Sequence, residues 1–229
     1  FTMGNDSGDS DEKPAHEVDL DSFWIDQTEV TNAMYQLCVQ AKKCNPPSDE
    51  TYFGNEQYAN YPVVYVSWND ASRYCAWAGR RLPTEAEWEK TARGVDRRVY
   101  PWGDEFSCKK GNFDDETKFD PYVVPGGPNC DGNEYLATVG SYTSGKSRYG
   151  ALDMAGNVWE WVADWYSDTY YSNSPSTNPM GPASGKLKVL RGGSWSVSVN
   201  VVRSSNRYNF DPTTSSSDMG FRCAQDATP

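Results

Sequence analysis

Residues 81–89 read RLPTEAEWE and contain the clearest helix start in the chain. Thr84 and Glu87 form a capping box, in which each side chain accepts a hydrogen bond from the backbone N–H of the other residue. Trp88 then falls on the inward face of the predicted helix. The stretch therefore predicts a helix that begins just after Thr84 and packs an indole into the core.

Two further helices are predicted upstream, because each combines a start signal with apolar residues at a spacing near 3.6. The first begins at Thr31, and its inward face is expected to carry Met34, Leu37, Cys38 and Ala41. The second begins at Ser67 and stops at Gly79, and its inward face is expected to carry Trp68, Ala71, Tyr74, Cys75 and Ala78.

Downstream of residue 93 the sequence favours short strands joined by long ordered loops. Gly, Pro, Asn and Asp interrupt it at short intervals, which argues against further long helices. Residues 189–191 and 221–223 are predicted to be core strands. Since no internal repeat and no Ser/Gly linker divides the chain, we expect one domain over residues 1–229.

Composition excludes several classes of protein. The net charge is −11, with 32 acidic and 21 basic residues, and no basic stripe interrupts it, so nucleic acid is not expected as a partner. The apolar stretches, such as residues 63–66, are too short for a membrane span, and no charged-then-apolar leader opens the chain. Aromatic residues make up 14% of the chain, so large rings supply most of the buriable area.

Six cysteines, none in a Cys-x-x-Cys pair, indicate three disulfides and an oxidising compartment, either extracellular or periplasmic. Fifteen pairings are possible in principle. Two look local, namely Cys38 with Cys44 and Cys108 with Cys130. That leaves Cys75 with Cys223, a link between an early helix and the C-terminal strand.

Several motifs together resemble the formylglycine-generating enzyme family, also called the sulfatase-modifying factor family. They run in the family's order: FTMG at 1–4, TEVTN at 28–32, VSWNDA at 66–71, RLPTEAEWE at 81–89, YPWG at 100–103, MAGNVWEW at 154–161, LRGGSW at 190–195 and GFRC at 220–223. The resemblance implies an α+β, C-type-lectin-like fold with little regular secondary structure. It also implies a disulfide between Cys75 and Cys223, in agreement with the pairing above.

The same resemblance implies two bound calcium ions, which suit oxygen ligands from carboxylates, amides and carbonyls. The first site would use the side chains of Asn112 and Asp131 with the carbonyls of Phe113 and Asn133. The second would use the side chains of Asn157 and Glu160 with carbonyls from Ala155 or Gly156 and from Val158. Without the resemblance, Asn157 and Glu160 could equally cap a turn.

The family's catalytic chemistry uses copper held by two thiolates, and this chain lacks them. The two copper positions fall on Val197 and Val202, and no cysteine lies between Cys130 and Cys223. Copper(I) prefers thiolate to oxygen, and valine offers neither, so no copper is expected. The nonheme iron chemistry of the wider family needs several imidazoles, and the chain has one His, His16. We therefore expect a pseudoenzyme.

Polar and aromatic residues replace the catalytic loop and form the expected ligand surface. It comprises Trp195, Ser196, Val197, Ser198, Val199, Asn200, Val202, Tyr208, Asn209 and Phe210. With residues 213–218, this region is rich in residue types reached from an Asn codon by changing its adenines, which resembles the variable proteins of diversity-generating retroelements. Ordinary drift in a polar loop is the alternative.

The sequence thus favours a calcium-stabilised binding module for a protein, peptide or glycan ligand. The alternative is an oxidoreductase of the formylglycine-generating or nonheme-iron type that acts through residues not identified here.

Overall fold

The computed structural model describes residues 1–114, 126–127 and 129–227. Regular secondary structure within these residues is sparse. The helices are α1 (Asn32–Gln40), α2 (Trp68–Trp77) and α3 (Glu85–Arg93). The strands are β1 (Thr2–Met3), β2 (His16–Glu17), β3 (Phe23–Ile25), β4 (Trp159–Trp165), β5 (Lys188–Arg191), β6 (Tyr208–Phe210), β7 (Met219–Gly220) and β8 (Ala224–Asp226). This content confirms an α+β fold with little regular secondary structure.

A four-stranded sheet in the order β6-β5-β4-β7 organises the C-terminal half. Strand β4 pairs antiparallel with β5, placing Glu160 opposite Arg191, and parallel with β7, placing Trp159 opposite Met219. Strand β6 pairs antiparallel with β5 and puts Tyr208 opposite Leu190. There are two further two-stranded sheets among the described residues. In one, β1 pairs with β2 within the N-terminal region, and in the other, β3 pairs with β8 near the C-terminus.

All three helices begin at the expected residues. Thr31 and Ser67 cap α1 and α2 by accepting a hydrogen bond from the first turn of each helix. Thr84 and Glu87 form the expected capping box at α3, and Trp88 is fully buried. Threonine and serine favour these positions because their oxygens satisfy backbone N–H groups that have no partner within the helix.

The predicted inward face of α1 is correct for Cys38 and wrong for Met34, Leu37 and Ala41, which are exposed. Met34 and Leu37 are 46% and 58% exposed, whereas Tyr35 and Cys38 are completely buried. The hydroxyl of Tyr35 donates to the Asn45 carbonyl, and Cys38 is bonded to Cys44, so the segment after the helix holds this other face inward. Apolar residues on both faces of α1 made the sequence pattern ambiguous.

The structure contains the three expected disulfides, Cys38–Cys44, Cys75–Cys223 and Cys108–Cys130. The second lies in the main core beside stacked Tyr35 and Tyr74 and ties α2 to the end of the chain. These disulfides are consistent with an oxidising compartment. No helix among the described residues has both the length and the apolar character needed to cross a membrane.

Residues 189–191 lie in β5 as predicted, but residues 221–223 are not a strand. They form the extended link between β7 and β8, and their carbonyls accept from the backbone of Asp26 and Val30. The expectation of a single domain over residues 1–229 stays a prediction.

Candidate functional site

The structure brings the residues of the first predicted calcium site together. The Asp131 carboxylate accepts from the backbone N–H groups of Phe113 at 2.8 Å and Asn133 at 2.9 Å. The Asn112 amide nitrogen donates to the carbonyl of Tyr135 at 2.7 Å. Its oxygen, Oδ1, is buried and accepts no hydrogen bond within the described residues. A buried oxygen without a donor is what a bound cation would satisfy, so this group fits calcium.

The side chains of the second predicted site are already engaged. Glu160 accepts two hydrogen bonds of 2.7 Å from Arg222 and one of 2.9 Å from Trp88 Nε1. Asn157 Oδ1 accepts from the N–H of Ala137 at 3.0 Å and from Asn112 Nδ2 at 3.2 Å. A cation here would compete with these donors and meet the positive charge of Arg222. The predicted ligand set of Asn157 and Glu160 therefore does not fit calcium in this structure.

Two buried acids beside this ion pair were missed by the sequence analysis. Glu29 Oε1 accepts from Asn157 Nδ2 at 2.9 Å, and Asp153 Oδ2 accepts from the Gly140 N–H at 2.6 Å. Burial, with the nearby charge of Asp153, raises the pKa of Glu29 well above 4.5, and burial also raises the pKa of Asp153. Their positions within the TEVTN motif and next to MAGNVWEW were the available signal.

These carboxylates do not amount to a recognisable metal cluster. No group of three or more His, Cys, Asp or Glu side chains in the described part of the chain is arranged to hold a metal ion. Any calcium in this region would therefore depend on amide and carbonyl oxygens together with single carboxylates.

The two predicted copper positions lie together against one glycine. A Cβ atom added to Gly193 would come within 2.5 Å of Val202 Cγ1 and 3.3 Å of Val197 Cγ2. Both valines pack in one apolar cluster with Tyr100 and Phe113. All six cysteines are in disulfides, so none supplies a free thiolate. The donor set at these positions is hydrocarbon and does not fit copper.

Beside these valines lies an open cleft of about 600 Å³, here called the C-terminal cleft. It is lined by Trp159, Ser196, Val197, Ser198, Val201, Tyr208, Phe210, Thr214, Ser216, Asp218 and Met219. Five of these belong to the ligand surface expected from the sequence, namely Ser196, Val197, Ser198, Tyr208 and Phe210. Val197 both lines the cleft and contacts the Gly193 turn.

The remaining residues of the expected surface do not line the cleft. Val202 is fully buried, and Trp195 is 8% exposed, with its indole nitrogen donating to the Ser217 carbonyl at 3.3 Å. Asn209 pairs with Val189 within the sheet, and Val199 and Asn200 belong to a short 3-10 turn. Four further lining residues, Val201, Thr214, Ser216 and Asp218, lie within the polar segments 196–202 and 213–218 that the sequence associated with this surface, whereas Trp159 and Met219 were not anticipated.

Aromatic rings form one wall of the C-terminal cleft. The Tyr208 ring stacks on Trp159, with centroids 5.0 Å apart and planes 20° apart, and Phe210 meets Tyr208 edge-on at 5.6 Å. Tyr208 is 43% exposed, whereas Trp159 is 3% exposed. The buried indole therefore holds the accessible phenol ring in a fixed orientation.

A hydroxyl–carboxylate network forms another wall. Ser194 and Ser196 donate to the same oxygen of Asp218, Oδ2, at 3.0 and 2.8 Å. Ser194 is completely buried at the Gly192–Gly193 turn, so the network connects the turn to the segment before β7. The carboxylate is thereby oriented by two fixed hydroxyl donors.

Three arginines attach residues 203–207, between the Gly192–Gly193 turn and β6, to the rest of the fold. Arg207 donates twice to Glu85, at 2.7 and 3.0 Å, and Arg203 donates twice to Glu12, at 2.8 and 2.7 Å. Arg191 donates to the carbonyls of residues 204–206. The cleft is thus built on loops that charged hydrogen bonds attach to the helical half.

A second cleft of about 770 Å³ lies beside α2 and was not anticipated from the sequence. Lys188 lines it, with its ammonium group 4.0 and 3.9 Å from the ring centroids of Trp68 and Trp165. Burial lowers the pKa of Lys188 to about 8. Another lining cation, Arg81, is already paired with Glu87 and Asp226. Lys188 and Arg81 thus make contacts with other residues of the fold.

Comparison with known proteins gives matches over nearly the whole chain. A family model described as a sulfatase-modifying factor enzyme 1-like domain matches residues 1–227. The formylglycine-generating enzyme of Streptomyces coelicolor is 36% identical over 286 residues, or 99% of this chain and 87% of that protein. The inactive C-alpha-formylglycine-generating enzyme 2 of Mus musculus is 33% identical, over 99% of this chain and 83% of that protein.

Another relative is a larger protein. The serine/threonine-protein kinase pkn1 of Chlamydia caviae is 36% identical over 247 residues, or 98% of this chain. The chain spans only 36% of that kinase's length.

Solved structures agree with the expected fold. PvdO from Pseudomonas aeruginosa has a TM-score of 0.81 and 30% identity, covering 99% of this chain and 91% of that one. Treponema denticola variable protein 1 has a TM-score of 0.78 and 23% identity, covering 99% and 92%, a likeness that concerns the fold alone. The fold is the C-type-lectin-like fold of the formylglycine-generating enzyme type.

Proposed function

The chain belongs to the sulfatase-modifying factor enzyme 1-like domain family, and we propose that it is a non-catalytic member that binds a ligand in its C-terminal cleft. Val197 carries this proposal, because it falls on a copper position predicted from the sequence and also lines the cleft. The ligand would be a protein, peptide or glycan, and it would bind to the surface next to Val197 and Val202.

The chemistry of the two copper positions supports the absence of catalysis. Val197 and Val202 can neither ligate copper nor exchange a disulfide, and all six cysteines are already bonded to one another. A mouse relative over nearly the same length is named as inactive, which is compatible with a fold that persists without the activity. Scaffold and chemistry are separable in general, because function depends on the site.

The aromatic wall supports binding. Tyr208 is exposed at the cleft and backed by Trp159, so a ligand that covers it gains apolar contact without losing much side-chain freedom. Tyrosine and tryptophan are over-represented among the residues that dominate binding energy. Thr214, which is half-buried in the lining, adds a hydroxyl group that can donate or accept, and the Ser196 hydroxyl can accept while it donates to Asp218.

Calcium at the first predicted site is part of the proposal. The unpartnered Asn112 Oδ1 and the Asp131 carboxylate would ligate it, with carbonyls from Phe113 and Asn133. Its role would be to stabilise the fold, because the Asn112 carbonyl accepts from the Asn157 N–H and the neighbouring Gly156 N–H donates to the Gly192 carbonyl. An extracellular or periplasmic location would supply both calcium and the oxidising conditions that suit three disulfides.

The similarity to variable proteins leaves the origin of the cleft residues as a prediction. The similarity to Treponema denticola variable protein 1 concerns the fold alone. The residue types of the cleft segments fit either diversification of this surface or ordinary drift. Both origins place ligand contacts in the same cleft.

Display selection tests the proposal. A random peptide library and a defined glycan array would be screened against the wild-type domain and against a Tyr208→Ala/Phe210→Ala variant. Binders selected on wild type are expected to lose about 30-fold or more in affinity for the variant, equivalent to about 2 kcal/mol. Tyr149→Ala is the matched control, because Tyr149 is 54% exposed and does not line the cleft. Binders that lose equal affinity for both variants would refute the location.

A further inference from the structure

The C-terminal cleft carries one carboxylate and no compensating cation in its lining. Asp218 is its acidic residue, and among the described residues that line it none is Lys, Arg or His. The other contributors are aromatic, apolar or hydroxylated. Since the whole chain has a net charge of −11, its long-range field also attracts cations.

Asp218 lies next to the aromatic wall because of strand pairing. Its carbonyl accepts from the backbone N–H of Trp159 at 2.8 Å, immediately before the register pair of Trp159 with Met219. Trp159 in turn supports the ring of Tyr208. Asp218 thus precedes the edge strand β7 and Tyr208 lies in the opposite edge strand β6, and Trp159 of β4 contacts both residues.

The side-chain hydrogen bonds of Asp218 involve one of its two carboxylate oxygens. Ser194 and Ser196 both donate to Oδ2, and no hydrogen bond to Oδ1 occurs within the described residues. Two donors on one oxygen fix the orientation of the carboxylate and leave the other oxygen for an incoming group. Such an oxygen binds ammonium or guanidinium donors through short, charge-assisted hydrogen bonds.

The neighbouring ring provides a second attraction for a cation. The face of an aromatic ring is electron-rich, and cations within about 6 Å of its centroid are attracted to it. Tyr208 is the accessible ring of the wall, and the described residues that line the cleft include no Lys, Arg or His. A carboxylate and a ring face in one cleft are the two features that recognise an organic cation.

We propose that the C-terminal cleft recognises a Lys or Arg side chain of a protein partner, held between Asp218 Oδ1 and the face of Tyr208. This proposal rests on the binding function proposed above and specifies its ligand class. A neutral glycan could also stack on Tyr208, but it would leave the charge of Asp218 without a counter-ion.

The test uses two small probes that differ in charge and hardly in shape, Nα-acetyl-arginine amide and its neutral analogue Nα-acetyl-citrulline amide. Amide resonances of the isotope-labelled domain would be followed during titration with each probe. The arginine probe is expected to shift resonances of residues 196–198, 208–210 and 218 and to bind about fivefold more tightly than the citrulline probe. Asp218→Asn should abolish this difference.

Asp211→Asn is the matched control, since it removes the same charge from the same region at an exposed residue that does not line the cleft. It should leave the preference for arginine unchanged. Equal binding of the two probes, or equal effects of the two variants, would overturn the cation proposal while leaving a binding cleft in place. If neither probe binds, the cation proposal also fails, and the display selection then decides the binding function alone.

Discussion

Arg222 holds Glu160 through two hydrogen bonds of 2.7 Å, and both side chains are almost completely buried. Burial disfavours the charged guanidinium, but the opposing charge of Glu160 outweighs it and raises the pKa of Arg222. Glu160 is therefore the partner of a buried cation, and this pair joins β4 to the segment after β7.

Glu160→Gln should lower the free energy of unfolding by about 3 to 5 kcal/mol, because it leaves a buried guanidinium without its counter-ion. Denaturant unfolding measures this change. Glu17→Gln is the control, since Glu17 is paired with Arg97 at 3.7 Å on the surface and should change stability by less than about 1 kcal/mol. A loss that disappears when calcium is removed would instead identify Glu160 as a calcium ligand.

The buried acid Glu29 predicts a pH dependence of stability. Its pKa in the folded protein is raised above 4.5, chiefly by burial, so the native state keeps a proton that the unfolded chain releases. Its contribution to stability is full below pH 4.5 and declines as pH rises toward the native pKa, by up to about 1.4 kcal/mol per pH unit.

Glu29→Gln keeps the oxygen that accepts from Asn157 and removes the titration. Its free energy of unfolding should therefore fall less steeply with pH above 4.5 than that of wild type. Urea midpoints measured at a series of pH values test this, and parallel curves for the two proteins would contradict the assignment.

Calcium should stabilise the domain through the first site. At a hundredfold excess over Kd, binding adds about 2.7 kcal/mol, which corresponds to a Tm increase of about 5 to 10 °C. Asp131→Asn keeps an oxygen acceptor but removes the charge, so chelator should change its Tm much less. Asp49→Asn, an exposed control, should respond like wild type. The same chelator response in all three proteins would argue against this site.

Restoring two thiols should restore copper binding. Since Val197 and Val202 both approach Gly193, the reduced Val197→Cys/Val202→Cys variant is expected to bind about one copper(I) ion per chain. Elemental analysis after anaerobic loading measures it. Wild type and the Val197→Cys single variant are the controls. A double variant that binds no more copper than these controls would mean that the two positions do not form a common site.

Local signals in the sequence predicted the helix starts and the region of the cleft. Thr31, Ser67 and Thr84 are caps whose partners lie within the same turn, so sequence alone specifies them. The segment around Tyr208 was assigned because its polar and aromatic composition differs from that of the framework motifs.

Contacts between distant parts of the chain could not be predicted in the same way. Glu160 contacts Arg222, which is 62 residues away in the sequence. The residues next to Glu160 do not reveal whether its carboxylate pairs with an arginine or binds calcium. Asp218 lies beside Trp159 because β7 pairs in parallel with β4, and no local pattern indicates that pairing. The inward face of α1 was misassigned for a related reason. Which face of this helix is buried depends on contacts with the segment that follows Cys38.

We propose that this family member does not catalyse formylglycine formation. Mass spectrometry of a sulfatase-type cysteine peptide incubated with the domain, copper and oxygen tests this, with an active formylglycine-generating enzyme run in parallel. We expect the peptide to keep its thiol in the presence of this domain, because Val197 and Val202 provide no ligand for copper. Formation of formylglycine by the wild-type domain would contradict the proposal that the domain is non-catalytic.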